Sequence, residues 1–586
     1  MTLRGRWQRS PGSAPLFDSI RVAILAAVVG VVVAYGALAF LWLLGILQGL
    51  FFGSEDGRLY ALLERLPIWR IVVAPAIGGL LVGVFVWRFM PEARNQGPAD
   101  VIYGVQEQDG HLSMRVGLYS ALASAVSIGA GASVGRYGPA VHLGASLSAW
   151  VSTVLGLDRG QRIALVGSGV AAAIAASFNA PLGGILFATE VVLAGRALRA
   201  FMPVTIAAVV ATAIARSHGN SFHLFDLSVH RIENLYEYVV FAAVGAVGGL
   251  LAVAYTKSLQ WAARTVAASG LPVWARPMVG GVLLGLIGTQ FPQVMGLGED
   301  VLWDAFLWAF PVGLLLALVA FKLLATSISL GFGFSGGVFA PALYVGALFG
   351  LAVGAVLLGW FPDLVSSPAI YAVAGMAAVV SCVIGAPIAT VLIAFELTSS
   401  YPLSTAVMLA VVMSHLVARR IFPYSYFAVQ LAERNVDIET RREAQIMRGR
   451  ILADVMVDDY QALRGTTTVA EAVQLCIENP EQALLLVDAE HRLMGEVSVH
   501  LLLQACREGR GERQLSEIAT SPDVVLDTNA DLHEAMQRLR DFVGISVPVV
   551  DEHDNGRVCG VIFENTVIRA YHDAVDQARN EEQGAK

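Results

Sequence analysis

Charge is what this 586-residue chain has least of: 15% of its residues are Asp, Glu, Lys or Arg, against about 25% in ordinary soluble domains. The shortage is uneven. Of the 86 charged side chains (39 Lys and Arg, 47 Asp and Glu), 41 lie in the last 146 positions, from Arg441 onward. With 56% hydrophobic residues overall, the first 440 positions exclude an ordinary soluble fold and predict a membrane domain, with a soluble domain behind it. Cysteine is nearly as scarce. Cys382, Cys476, Cys506 and Cys559 show no CxxC or metal spacing, so reduced structural thiols are expected and no metal site. Within the apolar spans there is no HExxH and no His or Cys cluster, which argues against an intramembrane enzyme, and no cofactor is predicted. Positive charge is also short, the net charge being −8, which speaks against nucleic-acid binding.

What is present is apolar, interrupted and duplicated. The first long run, about Val22 to Phe52, exceeds a secretory core and lacks a small-residue cleavage site, so it predicts a spanning helix. Arg4, Arg6, Arg9 and Arg21 precede it and put the N terminus in the cytoplasm by the positive-inside rule. Further apolar stretches begin near Ile71, Val116, Phe201, Tyr238, Pro277, Phe306, Gly337, Ala369 and Pro402. Several are broken by Gly or Pro and too short to cross alone, which predicts half-helices.

The run GRYGPAVHLGA, residues 135 to 145, carries a PAxxxGA core that returns 202 positions later as Pro341, Ala342, Gly346 and Ala347. A second pair, FNAPLGGILFATE (178 to 190) and GAPIATVLIAFE (385 to 396), matches Pro181 with Pro387 and Glu190 with Glu396, each 206 positions apart. A repeat of this length with interrupted apolar segments at matching places marks a membrane transport protein whose site lies between the halves. The repeat alone does not say whether the halves are parallel or inverted. Pro and Gly at such places read as helix starts, where unpaired N–H groups and a partial positive charge suit an anion without holding it as tightly as a full cation would. The candidates are the amides of Val338 and Phe339 before Pro341, the segment Gly135, Arg136, Tyr137, Gly138 and Pro139, its counterpart Gly337, and the turn Asn95 to Gly97.

The charged tail repeats as well. ALLLVDAEHRLMGEVSVHLLLQA (483 to 505) and ISVPVVDEHDNGRVCGVIFENTVIRA (545 to 570) each read as strand, acidic turn, strand and helix, preceded by the amphipathic segments VAEAVQLCIE and LHEAMQRLR. These resemble two CBS modules. Together with GRYGP, GGVFAP and FNAPLGGILF, they make the whole chain resemble the CLC family of chloride channels and proton-coupled anion transporters, of the prokaryotic type with a CBS pair. The resemblance implies an all-α polytopic membrane domain of two inverted repeats with broken helices, followed by a cytoplasmic α/β CBS-pair domain. It implies a homodimer in the lipid of the inner membrane, with one anion path per subunit and both termini cytoplasmic. The expected divisions are a cytoplasmic segment 1–20, a transmembrane domain 21–440, a linker 441–450, CBS modules 451–510 and 511–575, and a tail 576–586.

Departures from the family pattern carry the finer expectations. Where the family most often has GREGP, with its gating and proton-exchanging glutamate, this chain has Tyr137. The second proton-handling glutamate falls on Val191. A phenol of pKa about 10 stays neutral at ordinary pH and cannot cycle a proton in step with transport. The pattern predicts a channel that passes chloride passively. The alternatives are a proton/anion antiporter with another relay, through Glu190 or His142, and a CBS-bearing divalent-cation carrier. The carrier needs several intramembrane carboxylates, and only Glu190 and Glu396 qualify, a matched pair more simply read as structural. The family's anion-binding serine aligns on Gln96 if Gly97 is kept in register, and on Asn95 if Pro98 is. The central tyrosine aligns on Phe427, with Tyr426 next to it. In the tail, the ribose-binding aspartate of the CBS pattern is replaced by Leu501 and Thr566, so adenine nucleotides are not expected to bind.

Overall fold

In the computed structural model the chain divides into two compact units, Met1–Val436 and Asp437–Lys586. The structure describes residues 14–53, 59–193, 197–219, 232, 234–307, 310–362, 365–434, 452–458, 460–478, 483–522, 524–528, 530, 532–539, 542, 546–551, 556–563 and 565–573. Arg4, Arg6, Arg9, the linker 441–450 and the tail 576–586 lie outside the described residues.

The first unit is helical. Its first half comprises α1 (Ala14–Phe52), α2 (Leu59–Leu63), α3 (Ile68–Phe89), α4 (Pro98–Glu107), α5 (Met114–Gly129), α6 (Tyr137–Val154), α7 (Arg159–Phe178), α8 (Pro181–Phe187) and α9 (Ala197–Ser217). The second half comprises α10 (Glu237–Ala268), α11 (Arg276–Gly288), α12 (Glu299–Phe306), α13 (Val312–Gly331), α14 (Phe339–Trp360), α15 (Pro368–Ile384), α16 (Pro387–Thr398), α17 (Tyr401–Ile421) and α18 (Tyr426–Ala432). Among the described residues eight helices are long and apolar enough to cross a membrane, while Pro181–Val192, Arg276–Gly288, Pro368–Ile384 and Pro387–Thr398 are shorter apolar helices. Two details differ from expectation. Phe306 ends α12 and the apolar helix α13 starts at Val312. The buried helix α7, whose VGSGVAAAIAAS stretch is built of small residues, had no separate signal among the apolar runs.

The halves meet through reciprocal contacts at the repeat offsets. Ser133 N donates to Ser329 Oγ at 3.1 Å, and Ser335 N donates to Ser127 Oγ at 3.0 Å, so the pair 127/133 and the pair 329/335 exchange the same bond. Gly135 and Gly337 form an antiparallel bridge with both N–H···O distances at 2.7 Å. Glu396 accepts from Leu182 N and Gly183 N, at 2.9 and 2.8 Å, and Glu190 accepts from Ile388 N and Ala389 N, at 3.1 and 2.8 Å. Each glutamate thus satisfies the orphan N–H groups at the start of the other half's short helix. Reciprocity of this kind is what an approximate two-fold axis between the halves produces. Glycine makes the helices inside each half touch. A Cβ at Gly144 would lie 2.6 Å from Gly169 O, and one at Gly346 would lie 2.4 Å from Gly375 O, the repeat-related crossing in the other half.

The second unit repeats one small topology. β1 (Tyr460–Arg464) pairs parallel with β2 (Ala483–Val487), which pairs antiparallel with β3 (Leu493–Glu496). β4 (Leu526–Asp527), β5 (Ser546–Asp551) and β6 (Arg557–Phe563) follow the same order and senses. Leu485 and Val487 of one sheet pack with Val550, Val558 and Val561 of the other, so the two modules share a core. The Leu501 N–H is capped by Ser498 Oγ, and Thr566 Oγ1 donates to Asn565 Oδ1, leaving no carboxylate at either position.

Candidate functional site

Three helix starts converge where the halves join. Tyr137 and Phe339 are the first residues of α6 and α14, and Pro139 and Pro341 are the third residues. Proline costs nothing there, because the N–H it lacks would have no partner inside the helix. The N–H groups of Val338 and Phe339 make no hydrogen bond among the described residues. A Cβ at Gly337 would lie 2.9 Å from Gly138 N, so the two backbones come this close only because that position is glycine. The third start is α4, with Gly97 at its N-cap and Pro98 behind it.

A cavity of about 120 Å³ lies among them. Asn95, Gln96, Gly97, Tyr137, Gly138, Gly337, Val338, Phe339, Tyr426 and Phe427 all line it. Gly135 and Arg136 do not, one being held in the bridge and the other turned toward α12; Pro139 and Pro341 lie one step inside their helices. Val191 stands in the π-helical turn Ala188–Val192 after α8, away from the lining, and His142 is buried further along α6, also away from it.

The geometry separates some of the alternatives. Asn95 Nδ2 donates to Gly333 O at 2.8 Å, which ties that amide to the α13–α14 connection. The Gln96 carbonyl accepts from Ser120 Oγ at 2.7 Å, while its side-chain amide makes no hydrogen bond among the described residues. Tyr426 and Phe427 both reach the cavity from the start of α18, where Ser425 Oγ caps Ala428 N at 3.2 Å. The Tyr426 hydroxyl accepts from Gln430 Nε2 at 3.1 Å. The run GFSGG, residues 333 to 337, has the G-x-S-x-G spacing of a hydrolase nucleophile, but Ser335 Oγ shares its bond with Ser124 Oγ at 2.8 Å and, among the described residues, is not bonded to a base.

Sequence reasoning missed the charged groups around the cavity. Asp100 lines it, receives Gly97 N at 2.7 Å and is paired with Arg94 and Arg434 at 2.9 and 2.8 Å. Glu299, the first residue of α12, accepts from the Tyr137 hydroxyl at 3.2 Å and pairs with Arg136 at 3.2 Å. The Tyr137 ring stacks on Phe178 at 3.8 Å between centroids and meets Phe339 edge-on at 5.4 Å. Buried Lys322 of α13 donates to Val294 O and Gly296 O, at 3.0 and 2.9 Å, and fixes the turn that leads into α12. A lone cation in an apolar span was the available signal for Lys322. Glu299 offered only an acidic pair at a helix start.

The fold and this site define a membrane transport protein built from two related halves of broken helices. Residues 78–419 match the family described as voltage gated chloride channel, and residues 452–508 and 515–573 each match the CBS domain. The chain belongs to the voltage gated chloride channel family, with a CBS pair appended. It is 30% identical over 423 residues to the Salmonella typhi protein described as voltage-gated ClC-type chloride channel ClcB, covering 70% of this chain and 99% of that one. A putative chloride channel protein, ClcB-like, of Ralstonia nicotianae is 30% identical over 418 residues, covering 70% and 97%. Among solved structures, a slow cyanobacterial Cl−/H+ antiporter shares the fold at a TM-score of 0.63 and 24% identity, over 72% of this chain and 99% of that one. A eukaryotic CLC transporter does so at 0.62 and 19%, over 94% and 98%.

Proposed function

We propose that this protein is a homodimeric inner-membrane channel that passes small anions, chloride first among them, down their gradient without obligatory proton exchange. The observation that supports this reading is Tyr137. The side chain at the start of α6 is a neutral ring clamped between Phe178 and Phe339, and Val191 offers no second proton site. Anion donors in this reading are the free N–H groups of Val338 and Phe339, the Gln96 amide, and the helix ends behind them. Among the described carboxylates, Asp100 alone lines the cavity, and it is held by two arginines, so the described residues form no oxygen cage for a divalent cation.

One observation favours a coupled antiporter as the second reading: Tyr137 donates to Glu299, so a carboxylate does stand beside the position the family reserves for one. Flux from liposomes decides between the two. With an outward chloride gradient, anion efflux and external pH are recorded together. Chloride efflux with no uphill proton movement is the expected result, and proton pumping driven by chloride would promote the antiporter.

Selectivity tests the donor set. Gln96→Ala is expected to change the permeation order of chloride, bromide, nitrate and fluoride in the same liposomes, because the amide supplies a directional donor that smaller anions use most. An unchanged order would reduce Gln96 to a turn residue.

A further inference from the structure

Two donors converge on one carboxylate oxygen beside the Tyr137 end of the cavity. Glu299 Oε1 receives the Tyr137 hydroxyl at 3.2 Å and lies 3.2 Å from Arg136 Nη2. Both donors belong to the start of α6, and the carboxylate comes from α12, 162 positions away. A small anion asks for the same surroundings as that oxygen: a cation and an O–H aimed at one point, with little water competing. The donors are fixed, because the Arg136 side chain is 13% exposed, its guanidinium lies 5.3 Å over the Tyr137 ring, and the ring is stacked on Phe178. Glu299, at 25% exposed, is the partner with room to leave.

We propose that Arg136 and Tyr137 form an entry site for a halide-sized anion, and that Glu299 is a tethered competitor that fills this site between passages. The proposal rests on the reading of the cavity as an anion path. Its position differs from the gate that the family places on the helix itself: the blocking carboxylate is supplied from another helix, and the residue at the start of α6 becomes a donor. An arriving anion displaces Glu299 toward water and takes over both donors, after which the free N–H groups of α14 lie ahead of it. The apparent affinity for the anion is then reduced by the fraction of time Glu299 is seated.

Glu299→Gln keeps the side chain's size and an acceptor but removes its charge, and Glu299→Ala removes the competitor altogether. If the site is free about a tenth of the time in the parent, the chloride concentration for half-maximal liposome flux should fall about tenfold in Glu299→Ala. A smaller fall is expected in Glu299→Gln. Adding Tyr137→Phe to Glu299→Ala should reverse part of the gain, since one of the two donors is lost. Crystals of Glu299→Ala grown in bromide should show an anomalous peak within hydrogen-bond distance of the Tyr137 hydroxyl. Unchanged half-saturation in both single variants, with the parent's elution and thermal midpoint, overturns the proposal, as does bromide density only elsewhere. If the parent passes halide and these variants behave like it, the competitor alone is wrong. If the parent passes no halide, the anion path falls as well.

Discussion

Tyr137→Glu is expected to lower chloride flux near neutral pH by about tenfold or more, and to make the remaining flux rise as the pH falls. Position 137 opens α6, where the first N–H groups are unpaired and the helix presents a partial positive charge. A deprotonated carboxylate placed there satisfies those groups in the anion's stead, so the conducting fraction shrinks in proportion to its occupancy. Protonation removes the charge and with it the competition, so the direction is activation by acid. On the channel reading proposed above, coupling is expected to stay absent in this variant, because Val191 remains apolar. Chloride efflux at mildly acidic and neutral pH, recorded with a pH electrode, checks both statements. Flux insensitive to pH in Tyr137→Glu would mean that the side chain at 137 does not face the anion.

Lys322→Met should shorten the life of the folded membrane unit more than any substitution in the cavity lining. The Lys322 amino group is fully buried, bonds to two backbone carbonyls and lies 4.8 Å from the centroid of the Tyr344 ring. Methionine fills most of the volume but leaves Val294 O and Gly296 O without donors, at a cost of about 1–3 kcal/mol for each buried group. Each 1.4 kcal/mol that falls on the unfolding barrier changes the rate about tenfold, so the half-life in detergent at fixed temperature should drop by at least that factor. The turn those carbonyls belong to leads into α12, so surviving Lys322→Met protein should also show disturbed seating of Glu299. A half-life equal to the parent's would show that the two carbonyls find other donors.

The parts of this protein that were legible in the sequence are the ones written in single residues with strong backbone consequences. Pro139 and Pro341 mark helix starts because proline lacks an N–H, and the repeat offset put them in register before any fold was known. The matched glutamates Glu190 and Glu396 were readable as structural for the same reason, and each caps the other half's short helix. The α/β repeat of the tail was visible in its β-branched runs and Gly turns, which are local as well. Helix α7 escaped because small residues buried on all sides give little hydropathic contrast with their neighbours.

The sequence by itself determined the two-unit division, the duplication and the broken helices, since each depends on composition or on a residue's own conformational limits. Only the tertiary structure decided that Asn95 is tied to Gly333 while the Gln96 amide is left to the cavity, that Tyr426 and Phe427 both reach it, and that Glu299 meets Tyr137 from 162 positions away. Hydrogen bonds and ion pairs of this kind depend on where packed helices bring side chains to within about 3 Å of each other, and no local pattern in a chain encodes that distance.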